Sequence, residues 1–181
     1  MDAFNFVASV IGLLLGFTLL ELLKDFVSAL KQRQRYRIGL LTPALAIVVI
    51  VDLLSWWVTM WEYRAIVVVT NFVLQFAFAA SAIYYLAASY VFPDRAKDGS
   101  DLDDHYFAVR RLVLGAVLAI NYVTIAVLWT AVGKARSLET IVVIGLVTLA
   151  FVVAMTSSSK RLNLAMLSLI FFNYVREAFG L

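Results

Sequence analysis

Asp52 is the residue whose setting most constrains the chemistry of this chain. It is the one charge in an otherwise apolar run, 38–61, and Ser55 is the only polar residue within four positions on either side. A carboxylate near the middle of a bilayer costs at least about 2.5–3.5 kcal/mol on insertion scales, so it normally faces water or a partner from another helix. Such a group either titrates or binds a cation during transport, or it is paired and locks two helices together. Counted from the last basic residue before each run, Asp52 lies fifteen positions beyond Arg37, Asn121 ten beyond Arg111, and Asn173 twelve beyond Arg161. These depths predict a polar seam among the second, fourth and sixth apolar segments. Arg176, fifteen positions beyond Arg161, is the expected charge partner of Asp52. Asn71 and Gln75, four apart and so on one helical face, extend the seam from the third segment, with Tyr84 and Tyr85 farther along it.

Other chemistries find less support. There is no cysteine, which removes disulfides, thiolate metal sites and a thiol nucleophile. The single histidine, His105, rules out bis-histidine haem ligation within one chain. The acidic stretch Asp98-Gly99-Ser100-Asp101-Leu102-Asp103-Asp104 lacks the alternating ligands and the closing Glu of an EF-hand loop. It reads instead as a helix start, with Ser100 as N-cap and Asp101, Asp103 and Asp104 at the positive end of the helix dipole. No GxSxG or HExxH motif occurs, and Asp103-Asp104-His105-Tyr106-Phe107 lacks the last carboxylate of a DDxxD motif. The expectation is a protein that is not an enzyme and holds no cofactor or metal. Its formal net charge of +3 is small, and its basic residues are scattered in short clusters, so nucleic acid is a poor partner.

The elements that must position these residues follow from composition. Of 181 residues 64% are hydrophobic and 15% charged, with a mean hydropathy of +0.93, whereas a soluble domain is about half apolar and a quarter charged. The runs 3–20, 65–93, 112–133 and 140–159 carry no charge, and a shorter one covers 162–175. With 38–61 they predict an all-α, multi-pass membrane protein: a single domain, 1–181, of six transmembrane helices joined by short loops. The helices are expected over 4–30, 39–62, 66–91, 102–132, 138–157 and 162–179. The last is the shortest in its charge-free part, so Arg176 and Glu177 are expected within or at the edge of the bilayer.

Orientation follows from the basic residues. Lys24, Lys31, Arg33, Arg35, Arg37, Arg95, Lys97, Arg110, Arg111, Lys160 and Arg161 fall on one side, against Arg64, Lys134, Arg136 and Arg176 on the other. Eleven against four predicts both termini outside and the first, third and fifth loops in the cytoplasm. The corresponding location is the plasma membrane, or the inner membrane of a bacterium. Trp56, Trp57, Trp61 and Trp129 fall in the outer halves of their helices, where an interfacial aromatic belt sits.

The first helix is expected to continue into the cytoplasm on a stripe of Leu19, Leu20, Leu23, Phe26, Val27 and Leu30. It ends in a collar, Lys31, Arg33, Arg35 and Arg37, suited to anionic lipid headgroups. Gly12 and Gly16 form a GxxxG pair, and the third segment is rich in Ala and Ser. Both favour close helix packing and predict a homo-oligomer. The fifth segment, with only Thr140 and Thr148 in its apolar body, is expected to face lipid. Two function classes remain: an oligomeric channel or carrier for an ion, proton or small solute, or a non-transporting scaffold, sensor or accessory subunit. A water-accessible cavity reaching Asp52 favours the first, and a seam filled by side chains the second.

Overall fold

Long apolar segments satisfy their backbone groups most simply by closing hydrogen bonds within the segment, and the chain does this throughout. In the computed structural model, which describes residues 3–35, 37–66, 70–93, 101–132 and 138–179, there are six α-helices. They are α1 (Ala3–Lys31), α2 (Leu41–Glu62), α3 (Asn71–Ser89), α4 (Leu102–Val132), α5 (Leu138–Thr156) and α6 (Lys160–Phe179). Among the described residues the only extended pairing is an isolated bridge between Arg37 and Asp101. Helices α1 to α5 contain stretches long and apolar enough to cross a membrane. Helix α6 falls short of that composition, with Lys160, Arg161, Asn163, Asn173, Arg176 and Glu177 along its 20 residues.

Most boundaries fall within two residues of expectation. Helix α3 is the exception, starting at Asn71 rather than 66, because Thr70 is extended and its hydroxyl accepts from the Val73 N–H at 3.2 Å. This is a side-chain N-cap that supplies one of the partners the first turn lacks.

The helices alternate in direction. One end of the bundle gathers Lys31, Arg37, Asp101, Ser157 and Lys160, and is called here the basic end; Glu62, Glu139 and Glu177 mark the far end. Helices α2, α6, α5 and α4 contact one another in that order around a closed ring, and α1 and α3 pair along its side, α3 against α4 and α1 against α2. One core cluster draws buried residues from all six helices, among them Leu15, Leu45, Tyr84, Leu114, Phe151 and Ile170.

The face that α1 uses differs from the predicted stripe. Ile11, Leu15, Thr18, Leu22 and Ala29 are buried, and Phe26 meets the Phe92 ring edge-on at 6.1 Å, while Leu20, Leu23, Val27 and Leu30 are exposed. Apolar residues of α1 cover more of its circumference than that stripe, with Leu22 and Ala29 beside it, and it is their side, not that of Leu23 and Leu30, that packs. Its basic-end turns therefore lie along the end of α3 instead of standing free of the bundle.

The GxxxG pair also divides. A Cβ on Gly12 would meet the Trp57 ring of α2 at 3.2 Å, whereas one on Gly16 would meet nothing within 4 Å. Gly12 thus serves packing within the chain. Replacing it by Ile is expected to lower stability by about 1–3 kcal/mol, as overpacking does, while Gly16→Ile leaves stability unchanged. Denaturation midpoints of the two variants in mixed micelles measure this, and equal losses would refute the assignment.

Candidate functional site

Asp52 lies on α2 and is 1% exposed. Its Oδ2 accepts from the Tyr84 hydroxyl of α3 at 2.5 Å. Its Oδ1 accepts from Asn121 Nδ2 of α4 at 2.7 Å and from the Tyr174 hydroxyl of α6. Asn121 Nδ2 also reaches its own helix at the Val117 carbonyl, 3.1 Å away, and lies 3.3 Å from the Tyr174 oxygen. One carboxyl group therefore joins four helices through three neutral donors. Donors of this kind offset much of the several kcal/mol that a buried charge costs, and they do so without a counter-charge.

The predicted seam is present in part. Asp52 and Asn121 meet, and α6 contributes, but through Tyr174 in place of its neighbour Asn173. The side chain of Asn173 is half-buried and its Nδ2 lies 3.5 Å from Glu177 Oε1. Arg176 is not the partner of Asp52: both carboxyl oxygens are taken by Tyr84, Asn121 and Tyr174. The reason is angular. Tyr174 lies on the stripe that α6 buries, Asn163, Leu167, Ile170 and Tyr174, and Arg176 lies some 200° further round a helix of 3.6 residues per turn. Asn71 and Gln75 are exposed and take no part, because α3 buries its other face, Ala77, Ala80, Ser81, Tyr84, Ala87 and Ala88. Of the residues named on α3, Tyr84 is the one that reaches the site; Tyr85 is exposed.

A cavity of about 740 Å³ lies inside the ring of α2, α4, α5 and α6. It runs from Glu62, Tyr63, Glu139 and Ala178 at the far ends of the helices down to a level lined by Val51, Leu118, Asn121, Phe151 and Tyr174. The two residues that touch both the cavity and Asp52 are Asn121 and Tyr174. Helix α5 makes the space. It buries only Ala150, Phe151 and Ala154, close to the basic end, while its far half lines the cavity with Thr140, Val143, Val147 and Thr148. The two threonines thus line the cavity, while Ile141, Val142, Leu146, Leu149 and Val152 form the exposed apolar face of α5, and Thr148 Oγ1 pairs with the Tyr122 hydroxyl at 2.7 Å. On the opposite wall Trp56 Nε1 donates to Thr124 Oγ1 at 2.9 Å.

Toward the basic end the helices are joined by a second polar network, which was not among the expectations from sequence. Asp103, near the start of α4, accepts the Leu41 N–H at 2.9 Å and so caps α2, whose own N-cap residue Leu40 provides no side-chain bond. Thr42 donates to the Leu102 carbonyl at 2.6 Å, and the Leu102 N–H donates to the Arg37 carbonyl at 2.9 Å. Gly39 has φ +62°, and a Cβ there would collide with the Asp103 carboxylate. The cap of α4 is Asp101, whose Oδ1 accepts from the Asp103 N–H at 2.9 Å; the predicted cap, Ser100, lies outside the described residues. That backbone bond, with Lys160 adding to it, holds the Asp101 carboxyl below its ordinary range. Lys160 Nζ bridges Asp101 and Asp103 at 3.2 and 3.3 Å.

One turn further along α4, Tyr106 donates to Asn163 Oδ1 at 2.7 Å. Asn163 Nδ2 donates to the Ser157 and Ser159 carbonyls at 2.8 and 2.9 Å. Arg110 donates to the Ser157 carbonyl and, at 3.3 Å, to Asn163, and its guanidinium lies 4.6 Å from the centre of the Phe107 ring. With Arg111 Nε on the Met155 carbonyl at 3.2 Å, two arginines serve the C-terminus of α5, where unpaired carbonyls and the dipole both favour cations. A signal for this network existed: Asp103, Tyr106 and Arg110 share the stripe on which α4 buries Val113, Val117, Ile120 and Thr124.

The collar residues Lys31, Arg33, Arg35 and Arg37 are all exposed at the basic end. Among the described residues no three of His, Cys, Asp and Glu come together as a metal site. No protein-family model, curated protein or solved structure matches the chain.

Proposed function

We propose that this chain is a multi-pass membrane protein that carries a proton or cation together with a small solute. In this reading the cavity is an outward-facing vestibule, and Asp52, one hydrogen bond beneath its inner limit, is the exchanging group. The observation that carries the reading is the continuity from the far ends of four helices down to Asn121 and Tyr174, each one hydrogen bond from Asp52. The packed network at the basic end favours a carrier with one closed side over an open channel. With the eleven-to-four distribution of basic residues, the basic end faces the cytoplasm, both termini lie outside, and the membrane is the plasma membrane or a bacterial inner membrane. Helix α6 then crosses as a lining helix, with Asn163 buried against protein and Asn173, Arg176 and Glu177 on the cavity wall. The exposed collar meets anionic headgroups on the cytoplasmic side, and the open face of α1 at Gly16 is the contact of a homo-oligomer.

The test is Asp52→Asn in reconstituted vesicles. The amide keeps an acceptor for Asn121 and Tyr174, and its NH2 group can donate to Tyr84, whose hydroxyl turns from donor to acceptor. The variant is therefore expected to fold while losing pH-driven flux, because an amide does not exchange a proton in this range. Unchanged flux would refute the carrier reading. The hub itself favours a second reading, a scaffold in which one carboxyl ties four helices; that reading expects no flux in the wild type, and a marked loss of stability in Asp52→Ala, which leaves all three donors without their acceptor.

A further inference from the structure

The cavity has a size, a wall chemistry and a charge, and the three constrain what it accepts. At about 740 Å³ it falls within the roughly 300–1,000 Å³ typical of small-molecule pockets, far larger than a bare ion requires. Its walls are largely apolar, with Val51, Leu54, Ile144 and Val147 among them, and the rings of Tyr63, Tyr122 and Tyr174 belong to its lining. Aromatic rings attract cations over their faces, and most strongly where water is scarce. Among the described residues, the charged ones on the wall are Glu62, Glu139 and Glu177, from three different helices, and Arg176. A fourth carboxyl group, Asp52, lies one hydrogen bond beneath the inner limit.

We infer that the cavity binds an organic cation: an ammonium or phosphonium centre carried on an apolar body. An anion of the same shape would meet the carboxylates with the wrong sign, and a neutral solute would gain nothing from them. The apolar body accounts for the aliphatic walls, and the cationic centre for the tyrosines and the acidic rim. This rests on the reading of the cavity as a transport vestibule, and names its substrate class.

The test uses two ions of nearly identical shape and opposite charge, tetraphenylphosphonium and tetraphenylborate. Binding is measured by equilibrium dialysis against the full chain in zwitterionic nanodiscs, with empty nanodiscs subtracted. One saturable phosphonium site per chain is expected and none for the borate. The triple variant Glu62→Gln, Glu139→Gln, Glu177→Gln is expected to weaken phosphonium binding about tenfold or more. All three residues are exposed, and the three single substitutions serve should the triple variant fold poorly. Absence of saturable phosphonium binding, equal binding of both ions, or unchanged affinity in the glutamine variants would each overturn the inference. Asp52-dependent proton flux in vesicles without phosphonium binding overturns it while leaving the carrier reading intact. Charge-selective binding with no flux of any kind supports the site and removes the carrier reading.

Discussion

Gly39→Ala is expected to be among the most damaging small substitutions in the chain. Residue 39 sits at φ +62°, a region that costs an L-residue about 1–2 kcal/mol. The added methyl would also displace the Asp103 carboxylate that caps α2 through the Leu41 N–H, leaving a buried donor unpaired at about 1–3 kcal/mol. Together these come to about 2–5 kcal/mol, a large share of a typical stability of about 5–15 kcal/mol. A double-mutant cycle with Asp103→Ala separates the two causes. Without the carboxylate the methyl has less to collide with, so Gly39→Ala should cost clearly less in that background. Strict additivity of the two substitutions would show that Gly39 and Asp103 do not act as one unit.

The two tyrosines on Asp52 are expected to respond unequally to loss of their hydroxyls. Tyr84 is 0% exposed and its ring packs at 5.9 Å from that of Trp56. Tyr84→Phe therefore strands Oδ2 on the side of Asp52 away from the cavity lining, at about 1.5–3 kcal/mol for a bond to a charged group. Tyr174 is 7% exposed and lines the cavity. In Tyr174→Phe, Oδ1 keeps Asn121, and water entering from the cavity can replace the lost donor, so a loss of about 1 kcal/mol or less is expected. Flux should respond in the reverse order, since Tyr174 stands between the cavity and the carboxyl group. Unfolding midpoints and vesicle flux for both variants decide it. Equal stability losses would mean that Asp52 is as dry on the α6 side as on the α3 side.

The number of helices and most of their limits were legible because charge and apolarity alternate on the scale of whole segments. The helix faces were much less so. In α1 apolar residues spread beyond the predicted stripe to Leu22 and Ala29, which are buried while most of the stripe is exposed, so spacing alone did not single out the packing side. The importance of Asp52 and its link to Asn121 followed from the rarity of polar groups at that depth. Its other partners did not follow, because a search for opposite charge points to Arg176 while the structure uses the neutral hydroxyls of Tyr84 and Tyr174. Tyrosine is easily read as one more aromatic residue, and neither position differs in type from the exposed Tyr85 or Tyr90. The cavity was beyond reach for another reason: it depends on α5 burying only Ala150, Phe151 and Ala154, near one end, which composition does not record.

The separations in sequence across the Asp52 hub set an order of assembly. Its partners lie 32, 69 and 122 residues further along the chain. During synthesis α2 emerges with none of them, and on the membrane reading its carboxyl group then lacks every bond that steadies it in the finished fold. Tyr84 arrives with α3, Asn121 with α4, and Tyr174 only when α6, the least apolar of the six helices, has been made. Residue 174 thus completes a bond opened at residue 52. The cap on α2 obeys the same schedule, since Leu41 waits 62 residues for Asp103. A nascent chain halted before α4 would hold α2 with its first turn uncapped and its carboxyl group served by one tyrosine alone, a species suited to retention beside the insertion machinery until the later helices are available.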